Sequence, residues 1–319
     1  MPAGRSAFPP GSAEFSFPPM PPIPPPRAKG FTATTDLPLY WCAYGEQSAA
    51  PLLLLHGGPG AHHDYLLPQM LRLAQSPRGH QRDLLFYDQR GGGRSRSDSR
   101  DKEGHVTWET HVADLERVIA ELRPEPLTIV GYSWGGLLAL LYAREAAAGR
   151  VQPAPARMVL IDPAPVARRW REQFEREFAR RQAGPEVQSL RGELAASGLR
   201  ERDMEAYRHR SFELSVAGYF ANPRAARDLT PFRVTGRIQQ SVWESLGDYD
   251  LLADADFQRI DAPILIVHGR QDPIPLQSSE ECASALHATL VVIDQCGHVP
   301  YVEQPDALFG AIEEFLARS

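Results

Sequence analysis

Short apolar runs recur along the chain, and each ends at a glycine, an aspartate or another turn-forming residue. Runs of this kind are typical of strands that are buried on both faces of a parallel sheet. We therefore expect strands near residues 52–55, 84–87, 127–130, 158–161, 264–267 and 290–293. Every one of these runs is followed by a polar residue or a glycine, so the strand ends are where functional side chains are sought first.

Between these runs the apolar residues follow a helical period. Residues 112–122, 137–142 and 308–316 each carry apolar side chains three or four positions apart, which places those side chains on one face of a helix. Alternating strands and helices predict an α/β fold with a mostly parallel, doubly wound sheet. Sheets of this type bind ligands at the carboxyl ends of their strands.

The alternation stops between Asp162 and Ile264, where no strand pattern is found. Residues 165–258 are rich in Arg, Glu and Ala, with aromatic residues at helical intervals. Large aromatic side chains need burial, which a disordered insert would not give them. We therefore interpret 165–258 as a helical cap inserted after the sixth strand of the expected fold, and 31–164 with 259–319 as the core.

The first 30 residues form a separate, Pro-rich segment. Proline fixes φ and lacks an amide donor, so this segment favours extended conformations over helix or sheet. It has no apolar stretch of the kind found in a secretory signal. We expect residues 1–30 to be a flexible tail, and a ligand for a proline-recognising module is the alternative.

Composition narrows the classes of function. The chain has 319 residues, a hydrophobic content of 43% and a formal net charge of -6, with both signs interspersed. The chain contains no basic block that would predict a nucleic-acid partner. None of its apolar runs approaches the roughly 18 residues that are needed to span a membrane. Cys42, Cys282 and Cys296 lack metal-ligand spacing and are typical of reduced thiols in the cytoplasm. We expect no metal and no organic cofactor, and the sequence does not indicate an oligomeric state.

The most informative motif is Gly131-Tyr132-Ser133-Trp134-Gly135, which follows one predicted strand and precedes a predicted helix. G-x-S-x-G in that context presents a nucleophilic serine on a sharp turn. A serine hydroxyl needs an imidazole to accept its proton and a carboxylate to orient that imidazole. Asp272 and His298 follow the last two predicted strands, in the chain order Ser, Asp, His. We predict a catalytic triad of Ser133, His298 and Asp272.

Other histidines and acids also stand near predicted strand ends. The competitors are His56, His62, His63, His268, Asp88 and Asp294. His56 is interpreted as a brace for its loop, and the loop that begins at Asp88 as support for the wall of the site. His268 is interpreted as a packed residue at the end of a strand.

The loop His56-Gly57-Gly58-Pro59-Gly60 follows the first predicted core strand. Its glycines leave backbone N–H groups free to point into a site. Acyl transfer places negative charge on the former carbonyl oxygen, and fixed N–H donors stabilise that charge. We predict that the amides of Gly58 and Trp134 form this oxyanion hole, with a tight turn as the alternative role of the glycines.

These motifs together resemble the proline iminopeptidase family of α/β-hydrolases. The resemblance rests on residues 56–60, 88–95, 107–116 and 131–136, and residues 60–66 are similar to the branch with tricorn-interacting aminopeptidases and amino-acid amidases. It implies an α/β-hydrolase fold, release of an N-terminal residue from short peptides or amides, and cap glutamates that hold the substrate ammonium. Glu244 stands where one such glutamate is expected and Glu213 is a second candidate, and a solvated surface position is the alternative for both.

The sequence therefore predicts a serine hydrolase, with a proline iminopeptidase-like aminopeptidase acting on a small-molecule or short-peptide substrate as the leading interpretation. An esterase, lactonase or amidase would use the same residues on a substrate without a free amine. Acyl transfer in small-molecule assembly and a non-catalytic binding protein on a hydrolase scaffold are the remaining alternatives.

Overall fold

The computed structural model describes residues 22–47, 50–75, 79, 81–95 and 106–318. Most of the Pro-rich segment predicted to be a tail, residues 1–21, lies outside the described residues. The sheet already begins at Ala28, inside the segment assigned to that tail.

Within the described residues, one sheet of eight strands forms the centre of the fold. The strands are β1 (Ala28–Phe31), β2 (Tyr40–Gly45), β3 (Leu52–Leu55), β4 (Asp83–Tyr87), β5 (Thr128–Tyr132), β6 (Arg157–Ile161), β7 (Ile264–Gly269) and β8 (Thr289–Ile293). Their spatial order is β1-β2-β4-β3-β5-β6-β7-β8. The pairs β1–β2 and β2–β4 are antiparallel, whereas all pairs from β4 to β8 are parallel. The predicted α/β class with a mostly parallel sheet is confirmed.

Ten α-helices lie within the described residues. They are α1 (Trp108–Leu122), α2 (Trp134–Ala147), α3 (Arg168–Gln182), α4 (Pro185–Ala196), α5 (Leu199–Arg202), α6 (Met204–Val216), α7 (Gly236–Ser245), α8 (Leu276–Leu286), α9 (Pro300–Glu303) and α10 (Pro305–Ala317). None of the helices in the described part of the chain is long and apolar enough to cross a membrane.

The sheet separates two apolar cores, and the alternation of side chains along β3 shows why. Leu53 and Leu55 pack into the core that contains α1, α2 and α8, whereas Leu52 and Leu54 pack into the core that contains α10. Successive side chains of a strand point to opposite faces, so four consecutive leucines supply both cores. Burial of each leucine stabilises the fold by about 1.5–3 kcal/mol.

Helices α3 to α7 lie between β6 and β7 and are called the helical insert below. The six predicted strands match β3 to β8 to within one or two residues. β1 and β2 were not predicted. β1 alternates half-buried and exposed positions over only four residues, so its sequence carries no apolar run to identify it.

Candidate active site

Ser133 lies on the sharp turn between β5 and α2, at the carboxyl edge of the sheet. Its backbone has φ 52° and ψ -118°, a conformation that non-glycine residues rarely adopt. Glycines make this turn possible: a Cβ on Gly135 would lie 2.2 Å from the carbonyl oxygen of Leu55, and one on Gly131 would lie 2.5 Å from the carbonyl oxygen of Gly135. The G-x-S-x-G spacing therefore has a steric cause here.

His298 and Asp272 meet Ser133 in one hydrogen-bonded chain. The Nε2 atom of His298 lies 2.9 Å from the Ser133 Oγ atom, and its Nδ1 atom lies 2.8 Å from the Asp272 Oδ2 atom. The other carboxylate oxygen of Asp272 accepts a hydrogen bond from the Ile274 amide at 2.7 Å. Three residues that are far apart in sequence are thus brought together because β5, β7 and β8 end at the same edge of the sheet.

Burial sets the protonation of this chain. It lowers the pKa of His298 to about 4 and raises the pKa of Asp272 to about 7. Both pKa values shift in these directions because burial disfavours the charged form of each side chain. The resting imidazole is therefore neutral, with its Nδ1–H donating to Asp272 and its Nε2 lone pair free to accept the hydroxyl proton of Ser133.

The helical insert holds the loop that carries His298. The amide of His298 donates to the carbonyl oxygen of Tyr219 at 2.7 Å, and the Tyr219 ring stacks on the imidazole at 5.1 Å between ring centroids. On the sheet side, the Tyr132 hydroxyl donates to the His298 carbonyl oxygen at 2.9 Å. Sequence reasoning did not identify Tyr219, because its contact with His298 joins distant segments.

The predicted oxyanion-hole residues lie beside Ser133: Gly58 lines the cavity, and Trp134 follows Ser133 in the chain. Within the described residues, the backbone N–H group of neither residue donates a hydrogen bond to the protein. Gly58 has φ +55°, and Trp134 is the first residue of α2, whose N-terminus carries partial positive charge. Two free donors beside a nucleophile are the arrangement that an oxyanion requires.

His56 braces the loop that carries Gly58. The Gln89 amide donates to the His56 Nε2 atom at 3.0 Å, so the proton of the neutral ring resides on Nδ1 and is donated to the Gly57 carbonyl oxygen at 3.0 Å. Burial lowers the pKa of His56 to about 4, which keeps the ring neutral. Gln89 also accepts a hydrogen bond from the Trp134 indole at 2.9 Å. The Gln89 side chain also donates to the His56 carbonyl oxygen at 2.7 Å, so Gln89 contacts both the start of the glycine loop and the side chain of Trp134.

A second buried network lies behind this loop. The Nδ1 atom of His63 is 2.6 Å from the Asp88 Oδ1 atom, and its Nε2 atom is 3.2 Å from the Cys42 sulfur. Burial opposes protonation of His63, but the hydrogen bonds to Asp88 and Cys42 outweigh it and raise its pKa to about 10. Asp88 therefore faces an imidazolium, and the pair fixes the loop rather than joining the Ser133 chain.

A cavity of about 360 Å³ opens beside Ser133 and His298. Its wall is mainly apolar and comes from both the core and the helical insert, and its aromatic residues are Tyr65, Tyr132, Phe178, Phe212, Tyr219, Phe232 and Tyr301. The polar side chains among the described lining residues, besides the tyrosines, belong to Ser133, His298, Ser215 and Gln239. This wall suits an apolar group of a few carbon atoms next to the reacting carbonyl.

The structure does not bring Glu244 to the cavity. Glu244 is exposed on α7 and accepts a hydrogen bond from Gln240 at 2.7 Å. The buried face of α7 is set by Ile238 and Val242, and a residue two positions beyond Val242 points to the opposite side of a helix.

Glu213 is also absent from the cavity wall, although it is only 3% exposed. It pairs with Arg210 and lies 3.3 Å from the Nε2 atom of His209. The face of α6 that reaches the cavity carries Phe212 and Val216 instead. Neither glutamate lines the cavity in this arrangement, so binding of the substrate by Glu213 or Glu244 stays a prediction.

One carboxyl that sequence reasoning left without a role stands next to the triad. Asp162, His268 and Asp272 place potential ligand atoms within 4.8 Å of one another, and all three are buried. His268 already bonds Ser279 through Nδ1 and the Ile274 carbonyl oxygen through Nε2, so no lone pair of its ring is free for a metal ion. The available signal for Asp162 was its place at the end of a strand, at the same edge as Ser133.

The remaining competitors are accounted for by their contacts. Asp294 is exposed and pairs with Arg270, away from His298. His62 lies beside Asp64, with 3.6 Å between its Nδ1 atom and the carboxylate. Burial lowers the pKa of His268 to about 4, which fits a packed, neutral residue at a strand end.

Comparison with known proteins agrees with this architecture. A proline iminopeptidase from Lactobacillus helveticus is 26% identical over 287 residues, which cover 87% of this chain and 93% of that protein. A proline iminopeptidase from Lactobacillus delbrueckii subsp. lactis is 42% identical over 93 residues, which cover 29% of this chain and only 30% of that protein. The crystal structure of a proline iminopeptidase from Mycobacterium smegmatis has a TM-score of 0.63 at 20% identity, covering 91% of this chain and 97% of the other.

The alignment with a family model leads to the same assignment. Residues 50–305 match the model of the α/β-hydrolase fold. That range contains β3 to β8, the turn with Ser133, the helical insert and the loops with Asp272 and His298. The chain therefore belongs to the α/β-hydrolase fold family.

Proposed function

We propose that this protein is a serine hydrolase that transfers an apolar acyl group from a small amide or ester to water. The observation that carries the proposal is the hydrogen-bonded chain from Ser133 through His298 to Asp272 at the mouth of an apolar cavity. In this mechanism Ser133 attacks the carbonyl carbon while the His298 Nε2 atom accepts the hydroxyl proton. Asp272 stabilises the imidazolium that forms.

The negative charge of the tetrahedral intermediate would be stabilised by the amides of Gly58 and Trp134. His298 then donates its proton to the leaving amine or alcohol, and an acyl-enzyme remains on Ser133. Water attacks the acyl-enzyme with His298 as the general base, and His298 then returns this proton to the Ser133 oxygen as the acid is released. Each fixed amide donor of an oxyanion hole is typically worth about 3 kcal/mol of transition-state stabilisation.

Within this class, the first candidate substrate is a short peptide or amino-acid amide with an apolar N-terminal residue such as proline. The relatives named proline iminopeptidase support this candidate, including the one that aligns with 87% of this chain. The aromatic cavity wall is compatible with a proline ring. Free-amine recognition by Glu213 or Glu244 would require each glutamate to leave its present partner.

The second candidate is an ester or amide without a free amine. The observation that favours it is the cavity wall, to which the described residues contribute no carboxylate. An ammonium group entering such an apolar site would lose its hydration without gaining a charged partner, which is costly.

The experiment compares prolyl-arylamide, N-acetylprolyl-arylamide and a short-chain aryl ester as substrates. Faster turnover of the free amine by at least tenfold is expected for the aminopeptidase, and equal or better turnover of the blocked compound selects the second candidate. Ser133→Ala should abolish turnover and labelling by a fluorophosphonate, and Ser284→Ala, on α8, serves as the matched control. Intact labelling of Ser133→Ala would reject Ser133 as the nucleophile.

A further inference from the structure

Asp162 occupies a strained and wholly enclosed position beside the triad. It follows β6 directly, is 0% exposed and has φ 41°, in the left-handed region that few non-glycine residues adopt. Its Oδ1 atom accepts a hydrogen bond from the Gly269 amide at 2.8 Å. Backbone strain of this kind persists only where the surroundings enforce it, and it is concentrated at functional sites.

The second carboxyl oxygen of Asp162, Oδ2, is buried and is unpartnered within the described residues. An oxygen of the Asp162 carboxyl and an oxygen of the Asp272 carboxyl lie within 4.8 Å of each other. Two carboxylates cannot both remain ionised in such a buried place, so one proton has to be shared between them.

The groups around Asp162 supply no compensating cation in the described part of the chain. The titratable side chains that face it are Asp272, His268, His298, Cys296, Tyr132 and Tyr301. The Nε2–H of His268 donates to a carbonyl oxygen, and its Nδ1 accepts from Ser279, so this ring is neutral. Arg181 reaches the backbone carbonyl oxygens of Gln271 and Asp272, not the Asp162 carboxyl.

The two carboxyls are not equivalent. Burial and the neighbouring Asp272 raise the pKa of Asp162 well above its ordinary value, whereas burial raises that of Asp272 only to about 7. Asp272 also receives the Ile274 amide and the His298 Nδ1–H, both of which stabilise its ionised form. The shared proton therefore belongs on Asp162.

We propose that Asp162 is protonated at neutral pH and donates a hydrogen bond to the Asp272 carboxylate, which makes it a positioning residue for the His298–Asp272 pair. This role rests on the proposed serine-hydrolase function. Asp272 then accepts hydrogen bonds from Ile274, His298 and Asp162. These donors hold both carboxylate oxygens in place while the His298 imidazole gains and loses a proton. No bond is made or broken at Asp162, and its proton stays in place through the cycle.

The first test is spectroscopic and needs no turnover. Infrared difference spectra of wild type minus Asp162→Asn at about pH 7 should contain the C=O band of a protonated carboxylic acid. That band should persist in Asp272→Asn, because Asp162 stays buried without a cation. Absence of the band in wild type, or its loss in Asp272→Asn, would overturn the proposal. Asp83→Asn, a buried acid at the start of β4, is the matched control.

The second test is kinetic. Asparagine tolerates the left-handed backbone and its amide still donates to Asp272. Asp162→Asn should therefore keep kcat/KM within about threefold and leave the acid limb of its pH profile in place. Asp162→Ala removes the donor and should lower kcat about 10- to 100-fold with little change in KM. It should also move the acid limb upward, because a less stabilised Asp272 carboxylate takes up a proton at higher pH.

The opposite outcome has a distinct signature. If Asp162 were ionised, Asp162→Asn would remove a negative charge next to His298 and Asp272. The pKa of the pair would then fall, and the acid limb would move down by about one unit or more. That result contradicts the proposal. A wild-type protein without any hydrolytic turnover would instead contradict the proposed function, and the infrared result would still report on the proton of Asp162.

Discussion

At the scale of single residues, the geometry of the site requires a residue without a side chain at position 57. Gly57 packs against Ser133: a Cβ placed on Gly57 would lie 2.8 Å from the Ser133 Cβ and 2.9 Å from the Tyr65 hydroxyl oxygen. The Tyr65 hydroxyl in turn accepts the Gly57 amide hydrogen bond at 2.6 Å. A side chain at this position would have to displace the serine, the tyrosine or the loop that carries Gly58.

Gly57→Ala should therefore reduce activity much more than stability. We expect kcat/KM to fall about 10- to 100-fold, since a displacement of about 1 Å in a catalytic geometry has an effect of this order. Overpacking should lower the free energy of unfolding by about 1–3 kcal/mol. Steady-state kinetics and urea denaturation measure the two quantities. The control is Gly192→Ala on the exposed side of α4, where the new methyl group meets nothing within 4 Å. Unchanged kinetics for Gly57→Ala would contradict this view of the loop.

At the scale of elements, the helical insert and the loop that carries His298 are joined through one side chain. Glu303 on α9 accepts the Gly297 amide at 2.7 Å with one oxygen and the Asn222 amide at 3.1 Å with the other. The Tyr219 carbonyl oxygen adds a third link by accepting the His298 amide. The position of His298 is thus set jointly by the sheet and by the insert.

Removal of the Glu303 carboxylate should loosen this junction. In Glu303→Ala the Gly297 amide is left buried without an acceptor, which destabilises the protein by about 1–3 kcal/mol. We expect a fall in kcat and a rise in KM, because both the His298 loop and a wall of the cavity are released. Glu303→Gln keeps one acceptor and should show a smaller effect. Glu314→Ala, on the exposed face of α10, is the control. Equal kinetics for Glu303→Ala and wild type would show that the junction does not position the base.

At the scale of the whole molecule, stability should depend on pH through the buried His63–Asp88 pair. His63 has its pKa raised from 6.5 to about 10 by its hydrogen bonds, against the effect of burial. The pKa of Asp88 lies below its ordinary value of 3.8, because its hydrogen bond to His63 outweighs burial. A raised histidine pKa stabilises the folded state fully below 6.5 and loses that effect as the pH rises towards 10. The contribution of Asp88 is lost below about pH 4.

His63→Gln should therefore destabilise the protein most between about pH 4 and pH 6.5. Breaking a buried ion pair on one side typically costs about 3–5 kcal/mol. The difference in free energy of unfolding between wild type and His63→Gln should become smaller as the pH rises through about 8 and 9.5. Urea denaturation at about pH 6, 8 and 9.5 measures it, with exposed His287→Asn as the control. A difference that is constant or widens with pH would contradict a charged His63.

The features that the sequence predicts are those with local causes. The strands β3 to β8 coincide with apolar runs bounded by turn-forming residues, and β3 to β7 are almost wholly buried, so their approximate bounds follow from the residues alone. Ser133 was identifiable because its turn needs glycines at fixed positions, and Asp272 and His298 because each follows a strand. The α/β class and the α/β-hydrolase family follow from the same signals, and both are confirmed.

Other features depend on which side of an element faces which neighbour. Glu244 and Glu213 have the right residue type, but the phase of α7 and α6 turns both carboxylates away from the cavity. Asp162 and Tyr219 have no recognisable motif, and only the packing of β6 and the helical insert brings them to Asp272 and His298. A sequence specifies periodicity and turns through local sterics and burial. Distances between side chains of separate elements are set only when those elements pack. The tertiary structure alone therefore determined which residues line the cavity and which ones contact His298 and Asp272.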